Sequence, residues 1–329
     1  MLRASIQRSS VAHAYLFTGP KSTGKTSAAL AFAAALNCAD QSPKGDACGR
    51  CISCTRIQTG DDMDVRLISP DGNQTKIEQM QEMIKDLNFA PLSGRYKVFI
   101  VEQADTLNPS SENCILKILE EPPSYAVLIL LSSNPNSLLP TIRSRCRTVR
   151  FRRAGTEEIE GVLRERHDLS DDAVRMIAAC SCGAVGRAFK LASSPEFMEE
   201  RQTVLQTLKA WTNGPAIRSI QAAEILRHLA EPQKNDPDNR TRVARLAEML
   251  EHILSWYADL LTLKVRGENT PISNTDCAED LNVLASRFSA GRLRKAVGVI
   301  MDTRRYLEGN ITPQLALENM FFDILPDLA

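Results

Sequence analysis

The chain has 329 residues, enough for two or three domains that each bury a core. Forty basic residues balance forty acidic ones, which excludes a protein held on nucleic acid by bulk charge alone. No uninterrupted apolar run is long enough to span a bilayer, so the expectation is a cytoplasmic chain without membrane contact. In that setting its nine cysteines are thiols or metal ligands in preference to disulfides.

Residues 1–13 read as one polar helix leading into a first strand, Ala14-Tyr15-Leu16-Phe17. The run Gly19-Pro20-Lys21-Ser22-Thr23-Gly24-Lys25-Thr26 follows, and a helix is expected over Ser27 to Leu36. Strand, glycine-bounded loop and helix in that order meet the requirements of a phosphate-binding loop. Gly19 and Gly24 let backbone N–H groups turn inward, and the helix adds the positive end of its dipole. Lys25 is the candidate contact to the β- and γ-phosphates of ATP, and Thr26 the candidate ligand to Mg²⁺.

Four cysteines then crowd together, Cys38, Cys48, Cys51 and Cys54, with gaps of nine, two and two residues. Thiolates so spaced can converge on one tetrahedral ion, as in a structural zinc site. An iron–sulfur cluster shares the ligand type, and a set of free thiols is the plain alternative. No water-activating His or Glu stands among them, so the expected role is stabilising.

Val65 to Ile68 reads as a second strand, Ile77 to Leu87 as a helix at 3.6-residue spacing, and Lys97 to Val101 as a third strand. The third strand runs into Glu102 and Gln103. In phosphate-loop enzymes an acid here holds the magnesium shell, and the next residue is the base that activates water. Glu102 is one methylene longer than aspartate. Gln103 can bond a water but cannot take its proton, so binding without efficient hydrolysis is expected. A helix around Asn113 to Glu121, stopped by two prolines, precedes a fourth strand, Val127 to Leu131, then Ser132 and Ser133. The segment Leu139 to Cys146 ends at a fifth strand, Thr148 to Arg152. Alternating strands and helices imply a parallel sheet covered on both faces.

Helices are expected over Glu157 to Arg166 and Asp171 to Cys180, the latter capped by Ser170, with Gly183 and Gly186 flanking the start of another. A long apolar stripe, Val243, Leu246, Leu250, Ile253, Tyr257, Leu260 and Leu263, makes the last third helical, and Trp211 and Trp256 read as core anchors. Pro232 to Asn239 and Gly267 to Asn274 read as loops.

Taken together, HAYLFTGPKSTGKT, the cysteine group, KVFIVEQAD, NCILKILEEPP, NPNSLLPTIRSRC and GAVGRAFKLA resemble bacterial DNA polymerase III clamp-loader subunits of the AAA+ superfamily, over about residues 10–190, with a weaker match at NITPQLALENM. The resemblance implies an α/β nucleotide-binding domain over 1–153 with a five-stranded parallel sheet and an inserted zinc module at about 38–54, a helical lid over 154–203, and an all-α collar over 204–329 that joins five subunits in a ring.

The resemblance further implies partners of gamma/tau and delta type, and a role in ATP-driven loading of a sliding clamp onto primed DNA. On the family pattern Gly19, Ser22, Thr23, Gly24, Lys25 and Thr26 hold phosphate and magnesium, with Glu102 and Gln103 opposite. Ser132 or Ser133 falls at the first sensor position and Arg187 at the second. Arg145, in Ser144-Arg145-Cys146, matches the arginine finger that reaches ATP on a neighbouring subunit. Gln103 and the short chain favour the stationary delta-prime type over an ATP-hydrolysing gamma/tau type. The family also carries a longer segment before the HAYLF strand that helps cover adenine; this sequence begins late by that pattern, which implies either weak nucleotide binding or a true start upstream. A zinc-dependent nucleic-acid reader is a third possibility, disfavoured by the zero net charge.

Overall fold

The computed structural model describes residues 1–71, 75–194, 196–212, 214–215, 217–231, 239–268, 270, 272–307 and 312–324. The chain divides into two compact units, Met1–Ala154 with Ala184–Gly186, and Gly155–Gly183 with Arg187–Ala329.

In the first unit α1 (Leu2–Gln7) precedes β1 (Ala14–Thr18), then come α2 (Lys25–Asn37), α3 (Ile52–Thr59), β2 (Val65–Ile68), α4 (Ile77–Leu87), β3 (Lys97–Val101), α5 (Pro109–Glu120), β4 (Ala126–Ser132), α6 (Pro140–Arg145) and β5 (Arg147–Arg150). All five strands are parallel, in the order β2-β3-β4-β1-β5. The apolar runs of β1, β3 and β4 are buried throughout because both faces are covered. Alternation divides them. Leu16, Phe99, Val101, Leu128 and Leu130 pack with Met80, Met83 and Ile115 of α4 and α5. Tyr15, Phe17, Val98, Ile100, Val127 and Ile129 pack with Phe32 and Leu36 of α2 and Ile57 of α3. Because β1 lies between β4 and β5, its carboxyl end opens at a change in strand order, where such sheets bind ligands.

Several boundaries differ from expectation. The first helix ends at Gln7, and Ser9 has φ 51°, so residues 8–13 form a connection instead of helix. Helix α2 begins at Lys25, two residues early, because Gly24 in the left-handed region already caps it. Helix α5 starts at Pro109: the Asn108 side chain accepts the Ser111 N–H at 2.8 Å and proline fits the first turn. The last strand ends at Arg150, short of Arg152.

The second unit holds α7 (Thr156–Arg166), α8 (Asp171–Cys180), most of α9 (Val185–Ala192), α10 (Glu196–Thr212), α11 (Arg218–Leu229), α12 (Asn239–Arg266), α13 (Ala278–Arg287), α14 (Ala290–Leu307) and α15 (Pro313–Ile324). Ser170 caps α8 as expected, its hydroxyl accepting from Ala173 N–H at 3.3 Å. Helix α9 starts at Val185, so Gly183 and Gly186 flank its start as expected. The stripe on α12 packs with Trp211, Trp256, Leu317 and Phe321 in one core, the Trp211 and Phe321 rings meeting edge to face at 5.0 Å. Residues 232–238 of one expected loop, and Asn310 and Ile311 of NITPQLALENM, lie outside the described residues. Among the described residues no helix is long and apolar enough to cross a membrane.

Candidate nucleotide site and cysteine cluster

The turn between β1 and α2 depends on two glycines. Gly19 has φ +152°, and a Cβ there would stand 2.4 Å from the Phe151 carbonyl oxygen. Gly24 has φ 86° and caps α2. Ser22 joins them at φ 59°. The loop is braced by Gly19 N–H donating to the Ser132 carbonyl at 3.2 Å and by the Thr23 hydroxyl donating to Pro20 O at 2.8 Å. Lys25 Nζ donates to Gly19 O at 2.8 Å and Pro20 O at 2.7 Å. Burial lowers the Lys25 pKa; the Asp105 carboxylate opposes that and Lys21 adds to it.

Across from the loop, β3 delivers Glu102. The Thr26 hydroxyl donates to Glu102 Oε1 at 2.7 Å, and the Ser69 hydroxyl donates to Oε2 at 2.8 Å. Ser69 is itself anchored, its carbonyl accepting Gln79 Nε2 at 3.0 Å. Gln103 occupies the left-handed region at φ 46°, a conformation that costs a non-glycine residue about 1 kcal/mol or more. The Asp105 carboxylate accepts both the backbone N–H and the hydroxyl of Ser133, each at 3.0 Å. The Ser132 hydroxyl is buried and has no partner among the described residues.

Lys21, Ser22, Lys25, Thr26, Glu102, Gln103, Asp105, Leu131 and Ser133 line one cleft of about 340 Å³. Its loop half fits a phosphate: the N-terminus of α2 and two lysines, Lys21 and Lys25, border it. Its other half is compatible with magnesium, because the Thr26 hydroxyl that donates to Glu102 keeps its oxygen lone pairs for a cation.

Arg145 is exposed at the last position of α6. Its Nη2 donates to Glu120 Oε1 at 2.9 Å and its Nη1 to Thr141 O at 3.1 Å. Arg187, in the second unit, is held by Glu251 at 3.2 Å.

The four cysteine sulfurs lie within 4.8 Å of one another. Cys38 to Cys51 and Cys48 to Cys54 are each 4.0 Å apart. A tetrahedron with Zn–S of about 2.3 Å has sulfurs about 3.8 Å apart, so the set fits a metal ion. Backbone N–H groups of Arg50 and Cys51 lower the Cys48 pKa, and those of Cys54 and Ala39 bring Cys51 down to about 6. Burial pushes Cys54 up to about 12, and a bound cation would reverse that.

The profile described as DNA polymerase III, delta subunit matches residues 1–155, and that described as DNA polymerase III, delta subunit, C terminal matches residues 195–325. The chain belongs to the DNA polymerase III clamp-loader family, as a delta-prime-type subunit. It is 28% identical to DNA polymerase III subunit delta' of Bacillus subtilis, over 97% of this chain and 93% of that one. It is 26% identical to the tau subunit of the same organism, over 96% of this chain but 58% of that longer protein. Among solved structures, a gamma-subunit-related protein of Thermotoga maritima shares the fold, with TM-score 0.51, 16% identity and 97% coverage of both chains.

In this clamp-loader subunit the sequence brought Lys25, Thr26, Glu102, Gln103 and Ser133 to one cleft and grouped the four cysteines. It did not single out Ser69, Asp105 or Glu120. Asp105 carried a usable signal, standing three residues after Glu102 at the strand end. Ser69 and Glu120 carried none, because their pairings span 33 and 25 residues without periodicity.

Proposed function

We propose that this delta-prime-type subunit is a non-motor member of a five-subunit ring with gamma/tau and delta subunits, in the cytoplasm. There it helps ATP-driven loading of the sliding clamp onto primed DNA. Its lid, 154–203, and its collar, 204–329, serve the assembly, with Arg187 at a sensor position. Its own site holds ATP weakly and hydrolyses it little.

The observation that carries this reading is Gln103 on the cleft, beside Glu102. An amide can orient water but offers no proton acceptor. The chemistry then belongs to a neighbouring subunit, to which Arg145 supplies a guanidinium that spreads charge over phosphate oxygens in the transition state. Gly19 to Thr26 cradle the phosphates, and Cys38, Cys48, Cys51 and Cys54 hold one structural zinc ion, supplying rigidity and no reaction step.

The test is ATP turnover by the purified chain, parent against Gln103→Glu, beside turnover by the reconstituted complex with Arg145→Ala. Expected are negligible turnover by the parent alone and an assembled but slow Arg145→Ala complex. Brisk turnover by the isolated parent would favour the gamma/tau-like reading, to which the intact phosphate loop and the tau relative give support.

A further inference from the structure

We propose that one end of the second unit, where α12 and α13 finish, α14 begins and α15 ends, binds single-stranded nucleic acid, with Arg292 and Lys295 taking phosphate and Phe322 stacking a base. The site lies wholly within the second unit and does not depend on residues 19–26.

The four helix ends meet. Lys264 Nζ, near the end of α12, donates to Ser286 O of α13 at 3.3 Å. Phe288 and Ser289 alone separate α13 from α14. Ser289, Arg292 and Lys295 at the start of α14 line one cleft of about 400 Å³ with Phe322, Asp323 and Ile324 of α15.

This end carries Lys264, Arg266, Arg287, Arg292, Arg294 and Lys295. Elsewhere in the unit arginines are answered by carboxylates, as in Arg187 with Glu251, Arg201 with Asp276 and Arg305 with Asp302. Among the described residues no carboxylate forms an ion pair with Lys264, Arg266, Arg294 or Lys295. Asp323 is the one carboxylate among the lining residues of the cleft, against Arg292 and Lys295.

The cations at the ends of α12 and α13 suit those helix dipoles and need no ligand to explain them. The start of α14 is different. Its first turn holds no acid, so Arg292, Arg294 and Lys295 stand at the positive end of the dipole. That arrangement costs stability, and an anion seated there relieves it. Arginine's planar fork matches phosphate oxygens. Phe322, on the same cleft, is 45% exposed. An exposed ring beside cations is the combination single strands use, with a base on the ring and the backbone on the charge. A duplex keeps its bases stacked on one another and would leave the ring unused. The zero net charge of the chain is no obstacle, because the charge here is local.

The experiment measures anisotropy of labelled oligothymidylate with the purified chain at several salt concentrations. The parent is compared with the double variant Arg294→Glu, Lys295→Glu and with Phe322→Ala. The charge reversal is expected to weaken binding about tenfold and to lower the slope of log affinity against log salt by about one. Its melting temperature is expected to hold or rise, because acids suit the start of α14, so lost binding is not lost folding. Phe322→Ala is expected to weaken binding about fivefold or more with the salt slope kept. A duplex of the same length is expected to bind less tightly than the single strand.

A parent that does not bind at low salt, variants that bind like the parent, or a duplex that binds as tightly as the single strand would each overturn the proposal. Displacement of the oligonucleotide by polyglutamate at equal charge concentration would overturn it too, and would assign the patch to an acidic protein segment.

Discussion

Arg145 and Glu120 pair across α6 and α5 at 2.9 Å, and the same guanidinium reaches Thr141 O in its own helix. The side chains are 36% and 54% exposed, so the pair is worth only about 0–1 kcal/mol. A phosphate presented by a neighbour can replace Glu120 at little cost. Arg145→Ala is therefore expected to leave the melting temperature within about a degree of the parent and to form a full complex, while ATP turnover by that complex falls. Arg145→Lys is expected not to restore it, because an ammonium lacks the planar fork. Unchanged turnover in the alanine complex would end the trans role.

The cysteine group predicts a metal. Elemental analysis of the purified chain is expected to give about one zinc per molecule, and a strong chelator is expected to lower the melting temperature, since metal affinity adds to folding free energy. Cys51→Ser is expected to reduce the zinc content and to destabilise the first unit. A zinc-free chain that melts like the parent would remove the claim.

How much of this was legible beforehand depended on the range of the interaction. Strands β1, β3 and β4 were read correctly to within one residue because burial on both faces makes them continuous apolar runs. The glycine-bounded turn between β1 and α2 was legible because the strand, the two glycines and the helix that make it are adjacent in sequence. Helix starts were less so: Asn108 and Pro109 signalled α5, yet the apolar spacing alone pointed four residues later. In the last third only the stripe of α12 was specific enough to place, since α10, α11 and α13 to α15 share one core without strong local markers. The pairs Ser69–Glu102 and Arg145–Glu120 depend on how strands and helices are brought side by side, which no local pattern encodes.

Asp64 predicts a structural dependence of the turn before β3. It is 1% exposed and accepts the backbone N–H groups of Leu92 at 2.7 Å, Ser93 at 2.7 Å and Gly94 at 2.8 Å. Burial alone would raise its pKa, but these donors together outweigh it and hold the carboxyl below its usual value. Asp64→Ala orphans three donors and is expected to cost about 3 kcal/mol in urea unfolding. Gly94→Ala is expected to be destabilising as well, because its Cβ would stand 2.7 Å from the Asn37 side chain. A loss under about 1 kcal/mol for Asp64→Ala would show that water satisfies the turn instead.

His252 predicts a pH dependence of the second unit. Its ring is 4% exposed and lies 5.2 Å from that of Phe197. Burial, then the charges of Arg187 and Arg201, bring its pKa down to about 3. The unfolded chain takes up this proton near pH 6.5, whereas the folded chain resists it until about pH 3. The unfolded state therefore binds more protons throughout that window, and folding stability falls as pH falls. The slope from this one group approaches about 1.4 kcal/mol per pH unit, with no contribution above pH 7. His252→Phe keeps an apolar ring against Phe197 and has nothing to titrate. Urea unfolding of the parent and the variant from pH 7 to pH 4 is expected to show their stabilities diverging on acidification, the parent losing more. Parallel curves would mean that the imidazole is protonated in the folded chain, with the two arginines shifted away from it.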